Sequence, residues 1–558
     1  MPSDASPSPS PDVSQRLQLA AALLADGRVD DATSAYNAIL AERPDCAAAR
    51  VGLGKIAAQR GALDEAAIRF EQALALAPDL VDALFGLAMV QQRQGDLENA
   101  LASYKRAASI KADLIEALVN GAAISMQLGR AEEALALAQR AHAARPDVLE
   151  TRWTLANALL RAGRLSEAIA LYREVAALAP DEPRLLLNLG IALEHDGQLE
   201  AAEQSFRRAA AIAPALPEAH LQLGNIATAR GDVARALGHF REAVALRPDF
   251  AEAHFNLACG LLSRGELRDG FGAYDWRLRL PGAPEQKFGA PRWSGDPAEI
   301  RGRMILLHAE QGLGDTLQFV RYADQLIRAG ADIVLQVQRP LTALVARSFP
   351  TARVIAQDEA PPAFHRHCPL LSLPHVTGTT LDSIPASVPY ISADPQRARE
   401  WAARLDRRAR RIGIVWAGNP GHSNDRNRSI ALARLGPVLT GVDAAWYSLQ
   451  VGPRAIDLKT ISGLPVTDLA PALRDFEDTA AAIANLDLVI SVDTAVCHLA
   501  GAMGRPVWVL LPFAPDWRWL LRGEASPWYP TMRLFRQRAP GDWDGVVADL
   551  LKALKLSI

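Results

Sequence analysis

The fold class this sequence predicts is an all-α superhelix of about eight repeats, followed by an α/β region with two parallel-sheet halves. Three observations carry that prediction. Glycines recur every 34 residues from Gly27 to Gly265, short β-branched or Leu-rich runs alternate with amphipathic stretches beyond residue 300, and a turn-rich segment lies between. At 558 residues the chain is too long for one core. Its 49% apolar and 22% charged residues are those of a soluble globular protein, and a net charge of −3 gives no electrostatic reason to expect nucleic acid or anionic membrane as main partner.

The repeat is read position by position. Gly27, Gly61, Gly95, Gly129, Gly163, Gly197, Gly231 and Gly265 turn the chain between two helices. Five residues on stand Ala32, Ala66, Ala100, Ala134, Ala168, Ala202 and Ala236, with Gly270 in the eighth copy, small enough for two helices to approach closely. Four further on, Tyr36, Phe70, Tyr104, Tyr172, Phe206, Phe240 and Tyr274 fill the groove between hairpins, broken only by Ala138. Prolines such as Pro44, Pro78 and Pro146 end the second helix. No single hairpin buries its apolar face alone, so the units must stack. Period and pattern together are those of the tetratricopeptide repeat, and they cover residues 13–280.

These positions are structural, so function is expected on the concave face lined by the first helix of each pair. One position there, two before a small residue, reads Asn120, Thr154, Asn188, Gln222 and Asn256. Amides can bond the backbone of an extended peptide without reading its sequence. The same residues would serve equally as solvated polar groups, and Gly52 and Gly86 end the ladder in the early copies.

Residues 1–12 are Pro/Ser-rich and lack the basic and apolar regions of a signal peptide, so a disordered tail is expected. No apolar run is long enough to span a bilayer; the best, Pro506 to Pro512, is strand-sized. Cys46, Cys259, Cys368 and Cys497 lie far apart without CxxC pairing, which argues against disulfides or structural zinc. A cytoplasmic protein is the expectation.

After a linker at 281–300, strands are expected at Met304–His308, Ile333–Val337, Val354–Ile355, Ile412–Trp416, Trp446–Leu449, Leu488–Ser491, Val507–Leu511 and Met532–Phe535. The Pro-rich stretch 361–395 divides them into two Rossmann-like halves, 301–395 and 396–558. Two strand-to-helix junctions carry candidate chemistry. In the first, Gly312 and Gly314 let the backbone come close to a ligand and Asp315 sits at a helix N-terminus, as a cap or as a general base. A third glycine is missing and the next strand ends in Gln338-Arg339, so a dinucleotide fingerprint fails. In the second, Asp493-Thr494 opens a helix suited to a phosphate, with His498 one turn on. Asp542-Trp-Asp544, the one Asp-x-Asp, is expected in a loop after the last strand, and no metal-ligand motif is evident.

Together Trp276-Arg277, Glu310 to Tyr322 (EQGLGDTLQFVRY), Trp416-Ala-Gly-Asn-Pro420, Asp493 to His498, Gly504-Arg-Pro506 and Asp516 to Leu520 resemble a GT-B glycosyltransferase, similar to the lipopolysaccharide heptosyltransferases. The whole chain resembles bacterial proteins in which tetratricopeptide repeats precede such a domain, and also protein O-GlcNAc transferases and flagellin glycosyltransferases. That resemblance implies Asp315 as catalytic base and Asp493, Thr494 and His498 as the nucleotide-sugar motif, with Gly312, Gly314, Asn419 and Arg428 close to the donor. Arg428 stands where the family carries a lysine. It further implies a nucleotide-sugar co-substrate, no metal or other cofactor, and a Ser/Thr protein acceptor (a flagellin among them) on the concave face at Asn120, Asn188, Gln222 and Asn256. The first half is short for the fold, so the last repeats are expected to help form the acceptor site. A non-catalytic scaffold, or transfer to a glycan or lipid-linked acceptor, are the alternatives.

Overall fold

A computed structural model describes residues 12–283, 288–406, 409–422, 424–461 and 463–557. The expected tail at 1–12 lies outside them except for Asp12. Sixteen helices in eight pairs run from Val13–Ala25 to Leu267–Tyr274. All eight inter-helix glycines take φ between +73° and +82°, the left-handed conformation that the turn demands. The alanines five residues on are at most 1% exposed from Ala32 to Ala236, so no larger side chain fits where the helices cross.

Compactness divides the chain into two units, through Ala219 and from His220 onward. The secondary structure changes later, where the last helix ends at Tyr274 and the first strand begins at Met304. Within the second unit one apolar core explains the difference. Ala258, Leu262, Leu267, Phe271 and Tyr274 of the eighth pair share it with residues of both sheets. Phe271 stands edge-on to Phe319, Trp517 and Trp528 at ring distances of 6.3, 5.5 and 6.3 Å, a packing that favours aromatic quadrupoles.

The first sheet is parallel, in the order β3-β2-β1-β4, with β1 Met304–His308, β2 Asp332–Val337, β3 Arg353–Ala356 and β4 Arg366–Pro369. The second, also parallel, has the order β10-β9-β8-β5-β6-β7. Its strands are β5 Arg411–Val415, β6 Ala445–Ser448, β7 Val466–Asp468, β8 Leu488–Val492, β9 Val507–Leu511 and β10 Met532–Arg536. Two strands depart from the sequence reading. β4 falls inside the Pro-rich stretch expected to be strand-free, and its Arg-His-Cys-Pro sequence carries no strand signal; pairing with β1 creates it. β7 is a three-residue edge strand beside β6. Asp542-Trp-Asp544 is a correction too: Asp542 caps the Trp543–Leu556 helix by accepting from the Gly545 N–H at 2.9 Å, and Asp544 pairs with Arg434.

In the array, a Cβ built on Gly190 would lie 2.4 Å from the Phe206 ring. Gly190→Val is therefore expected to destabilise the first unit by about 1–3 kcal/mol through overpacking. An unchanged array transition in thermal denaturation would contradict this packing.

Candidate active site

In open parallel sheets, ligands bind beyond the strand C-termini where the strand order reverses. Here the reversals fall between β1 and β4 and between β5 and β8. The segments that follow β1, β5 and β8 hold Gly312 to Asp315 (a helix cap and first turn), Trp416 to Asn419, and Asp493-Thr494.

Gly312 is the N-cap of the Leu313–Phe319 helix, so Asp315 is its N3 residue and not its cap. Its carboxylate accepts from the Gly312 N–H at 2.9 Å and from the Arg518 guanidinium. The turn before it is pinned by Gln338, which accepts from the Thr316 hydroxyl at 2.8 Å and donates to the Gln311 carbonyl at 2.7 Å. The residue that disqualified a dinucleotide fingerprint thus braces this loop.

Gly314 stands against another helix of the chain. A Cβ there would lie 3.0 Å from His498 Cδ2 and 3.6 Å from the Ala495 Cα, so the N-termini of the Leu313–Phe319 and Ala495–Ala502 helices meet face to face. Thr494 is the N-cap of the second helix, and its side chain makes no capping bond; it meets the Ser491 hydroxyl at 3.1 Å. His498 is held by the Tyr529 hydroxyl on Nδ1 at 3.0 Å, stacks on Trp519 at 5.3 Å, and places Nε2 3.7 Å from Asp493. Burial pushes the Asp493 carboxyl up, but His498, the Trp519 indole and Arg518 outweigh it and hold it below its ordinary value.

Arg428 sits half-buried against Gly418 and 3.4 Å from Asp425, and its charge reaches Cys497 on the Ala495–Ala502 helix. Asn419 closes a small turn by accepting from the Gly421 N–H at 3.0 Å. Gln450, at the end of the β6 loop, accepts from the Trp416 and Ala417 N–H groups and so fixes the loop that carries Asn419. The ligand atoms of Asp493, Cys497 and His498 lie within 4.8 Å of one another, close enough to hold a cation. They would hold it against the positive end of a helix and the charge of Arg518.

The amides are paired with one another. Asn188 donates to Asn157 at 2.9 Å and Asn256 to Asn225 at 2.8 Å, each one helix pair apart, while Asn225 also donates to Gln222. Asn120 donates to the Tyr104 hydroxyl. At Gly52 and Gly86 a Cβ would fall 2.3 and 2.5 Å from the Tyr36 and Phe70 rings, which is why no amide stands there. Sequence reasoning missed Asn157, Asn225, Gln450, Tyr529 and Arg518. For Arg518 a signal was present, because it lies in the Asp516 to Leu520 stretch that carried the resemblance.

The tetratricopeptide repeat family matches residues 17–80, 69–114, 124–183, 153–217 and 221–275. Glycosyltransferase family 9 (heptosyltransferase) matches residues 454–511, a stretch that contains Asp493, Thr494 and His498. Tetratricopeptide repeats thus precede a region with a match to glycosyltransferase family 9. Protein FlbA of Caulobacter vibrioides is 27% identical in an alignment of 331 positions that covers 51% of this chain and 52% of that protein. The chain therefore spans about half the length of the curated relative it matches. A tetratricopeptide repeat protein from Parabacteroides merdae is 18% identical with a TM-score of 0.36, over 44% of this chain and 98% of its own. Pseudomonas aeruginosa pilF is 21% identical with a TM-score of 0.32, over 38% and 96%. Among the described residues no helix is long and apolar enough to cross a membrane.

Behind the site, His308 Nε2 meets His367 Nδ1 at 3.1 Å under the Phe288 ring. Burial, then His367, pushes His308 down from 6.5 to about 3, and burial with Arg292 lowers His367. The unfolded chain takes up these protons near pH 6.5 and the folded chain does not, so the neutral pair contributes fully above that pH. Its contribution is lost as pH falls toward 3, for His308 on the order of 5 kcal/mol in all. Urea midpoints followed from about pH 7 to 4.5 should decline less for His308→Leu than for the parent chain; equal declines would refute the assignment.

Proposed function

We propose that the chain is a nucleotide-sugar-dependent glycosyltransferase of GT-B architecture that modifies Ser or Thr hydroxyls of a protein acceptor. The observation that supports it best is the meeting of two helix N-termini, one carrying Asp315 and the other following Asp493-Thr494 with His498. Free N–H groups and the helix dipole suit a diphosphate at Thr494. Asp315 still has acceptor capacity, since a carboxylate offers about four lone-pair sites and two hydrogen bonds to it are formed.

In this reading the acceptor hydroxyl attacks the anomeric carbon while Asp315 takes its proton. The anomeric C–O bond breaks, and its electron pair leaves with the nucleoside diphosphate toward Thr494 and Arg428. No divalent ion is needed, because helix N-termini and guanidinium groups neutralise the diphosphate. The array recruits the polypeptide. The Asn188–Asn157 pair leaves the Asn188 Oδ1 and the Asn157 Nδ2 for a peptide, oriented by the bond between them. A flagellin is the first acceptor to test.

A true donor should raise the melting temperature by mass action, and a panel of UDP-, GDP-, ADP- and CMP-sugars tests this. Asp315→Asn is expected to slow transfer by about 10²–10⁴-fold while leaving that thermal shift in place. If the wild type moves sugar to no protein acceptor, the non-catalytic scaffold becomes the better reading. Asn188→Ala with Asn256→Ala should raise KM for a protein acceptor and leave donor hydrolysis alone; equal effects on both would remove the amides from acceptor binding.

A further inference from the structure

Arg518 is 7% exposed and spans the cleft between the two sheets. Its Nε donates to Gln318 Oε1 at 2.9 Å, one amino group to Asp516 at 2.8 Å, and the other to Asp315. A guanidinium has five N–H donors, so two remain without a protein acceptor among the described residues. Its charge also reaches Asp493. One fixed cation therefore touches the residue that would take the proton and is followed in the chain by Trp519, on which His498 of the second motif stacks.

The segment holding it is braced. Arg536 donates to the carbonyls of Trp519, Leu520 and Gly523, and the Leu521 N–H donates to the Ser263 carbonyl of the eighth helix pair at 3.0 Å. Leu520 is held at φ 56°, where a bulky side chain persists only under outside constraint. Such bracing suits a charge that has to be fixed in place before reaction.

We propose that Arg518 is a positioning residue that couples the two charge movements of glycosyl transfer, an inference that rests on the reading above. Before reaction its charge is matched by Asp315 and Asp516. As the acceptor O–H breaks, the proton lands on Asp315 and cancels that carboxylate's charge. In the same event the anomeric C–O bond breaks and negative charge appears on the diphosphate. Arg518 neither gains nor loses a proton; the attraction it exerted on Asp315 is transferred to the departing group.

The test uses the full-length chain, the UDP-, GDP-, ADP- and CMP-sugars named above, and nucleotide release with a flagellin acceptor as the readout. Arg518→Lys keeps the charge and loses the fork. It should lower kcat by about 10²-fold with donor KM little changed, and move the acid limb of the pH–rate profile up by about one unit. Asp516→Asn leaves Arg518 with Asp315 as its one carboxylate partner, so the acid limb should move the opposite way, to lower pH. This second variant decides the matter if Arg518→Lys unfolds. Opposite shifts support the coupling. Two variants with the wild-type profile, whatever their melting temperatures, would assign Arg518 to structure alone and overturn it. A wild type that releases no nucleotide from any donor would sink the glycosyltransferase reading itself and this inference with it, which separates the two failures.

Discussion

Arg321 carries a permanent positive charge into the interior, and the form of the cleft follows from how that charge is satisfied. It is 3% exposed. An ion removed from water costs several kcal/mol unless its hydrogen bonds are replaced. Arg321 replaces them with the carbonyls of Gln318, Pro385 and Trp528 and the Tyr390 hydroxyl, and lies over the rings of Tyr390 and Tyr529 at 4.6 and 4.5 Å. Tyr390 donates in turn to the Leu317 carbonyl, and Tyr529 holds His498. The chain that positions Asp315 and the chain that positions the Asp493 motif are therefore satisfied by one shared cation. Neither half can shift its helix N-terminus without leaving a buried charge short of partners.

The array follows a similar economy of polar groups. Its inner amides bond each other and the tyrosines of the groove, so their orientations are set within the array. Tyr172 donates to the Asn157 Oδ1 that also accepts from Asn188. Phe206 and Phe240 have no hydroxyl to give; their rings lie against Gly190 and Gly224. Aromatic, glycine and amide positions thus form one arrangement in which each choice limits its neighbours.

Repeats were legible because one residue type recurs for one local reason: a left-handed turn, a crossing too tight for more than a methyl, a groove that takes a ring. Strands such as β1 and β9, apolar and bounded by turns, were legible in the same way. β4 was not, since its polar sequence becomes a strand only by pairing beside β1. Arg518 was not, because its meaning depends on Asp315, 203 positions earlier in the chain. Nor were Asn157 and Asn225, whose partners stand one helix pair further along. Local sequence reports local geometry, and contacts between distant segments leave no such trace.

The core that the eighth helix pair shares with both sheets has a consequence for how such chains vary. Phe271 and Tyr274 are as much part of the sheet-bearing unit as Phe319 or Trp528, and Ser263 helps hold the loop that carries Arg518. A recombination event that cut between the last helix and β1 would open an apolar surface on each fragment and loosen that loop. Gain or loss of whole repeats further upstream would disturb neither. The length of the array is free to drift, while its last hairpin is inherited with the two sheets.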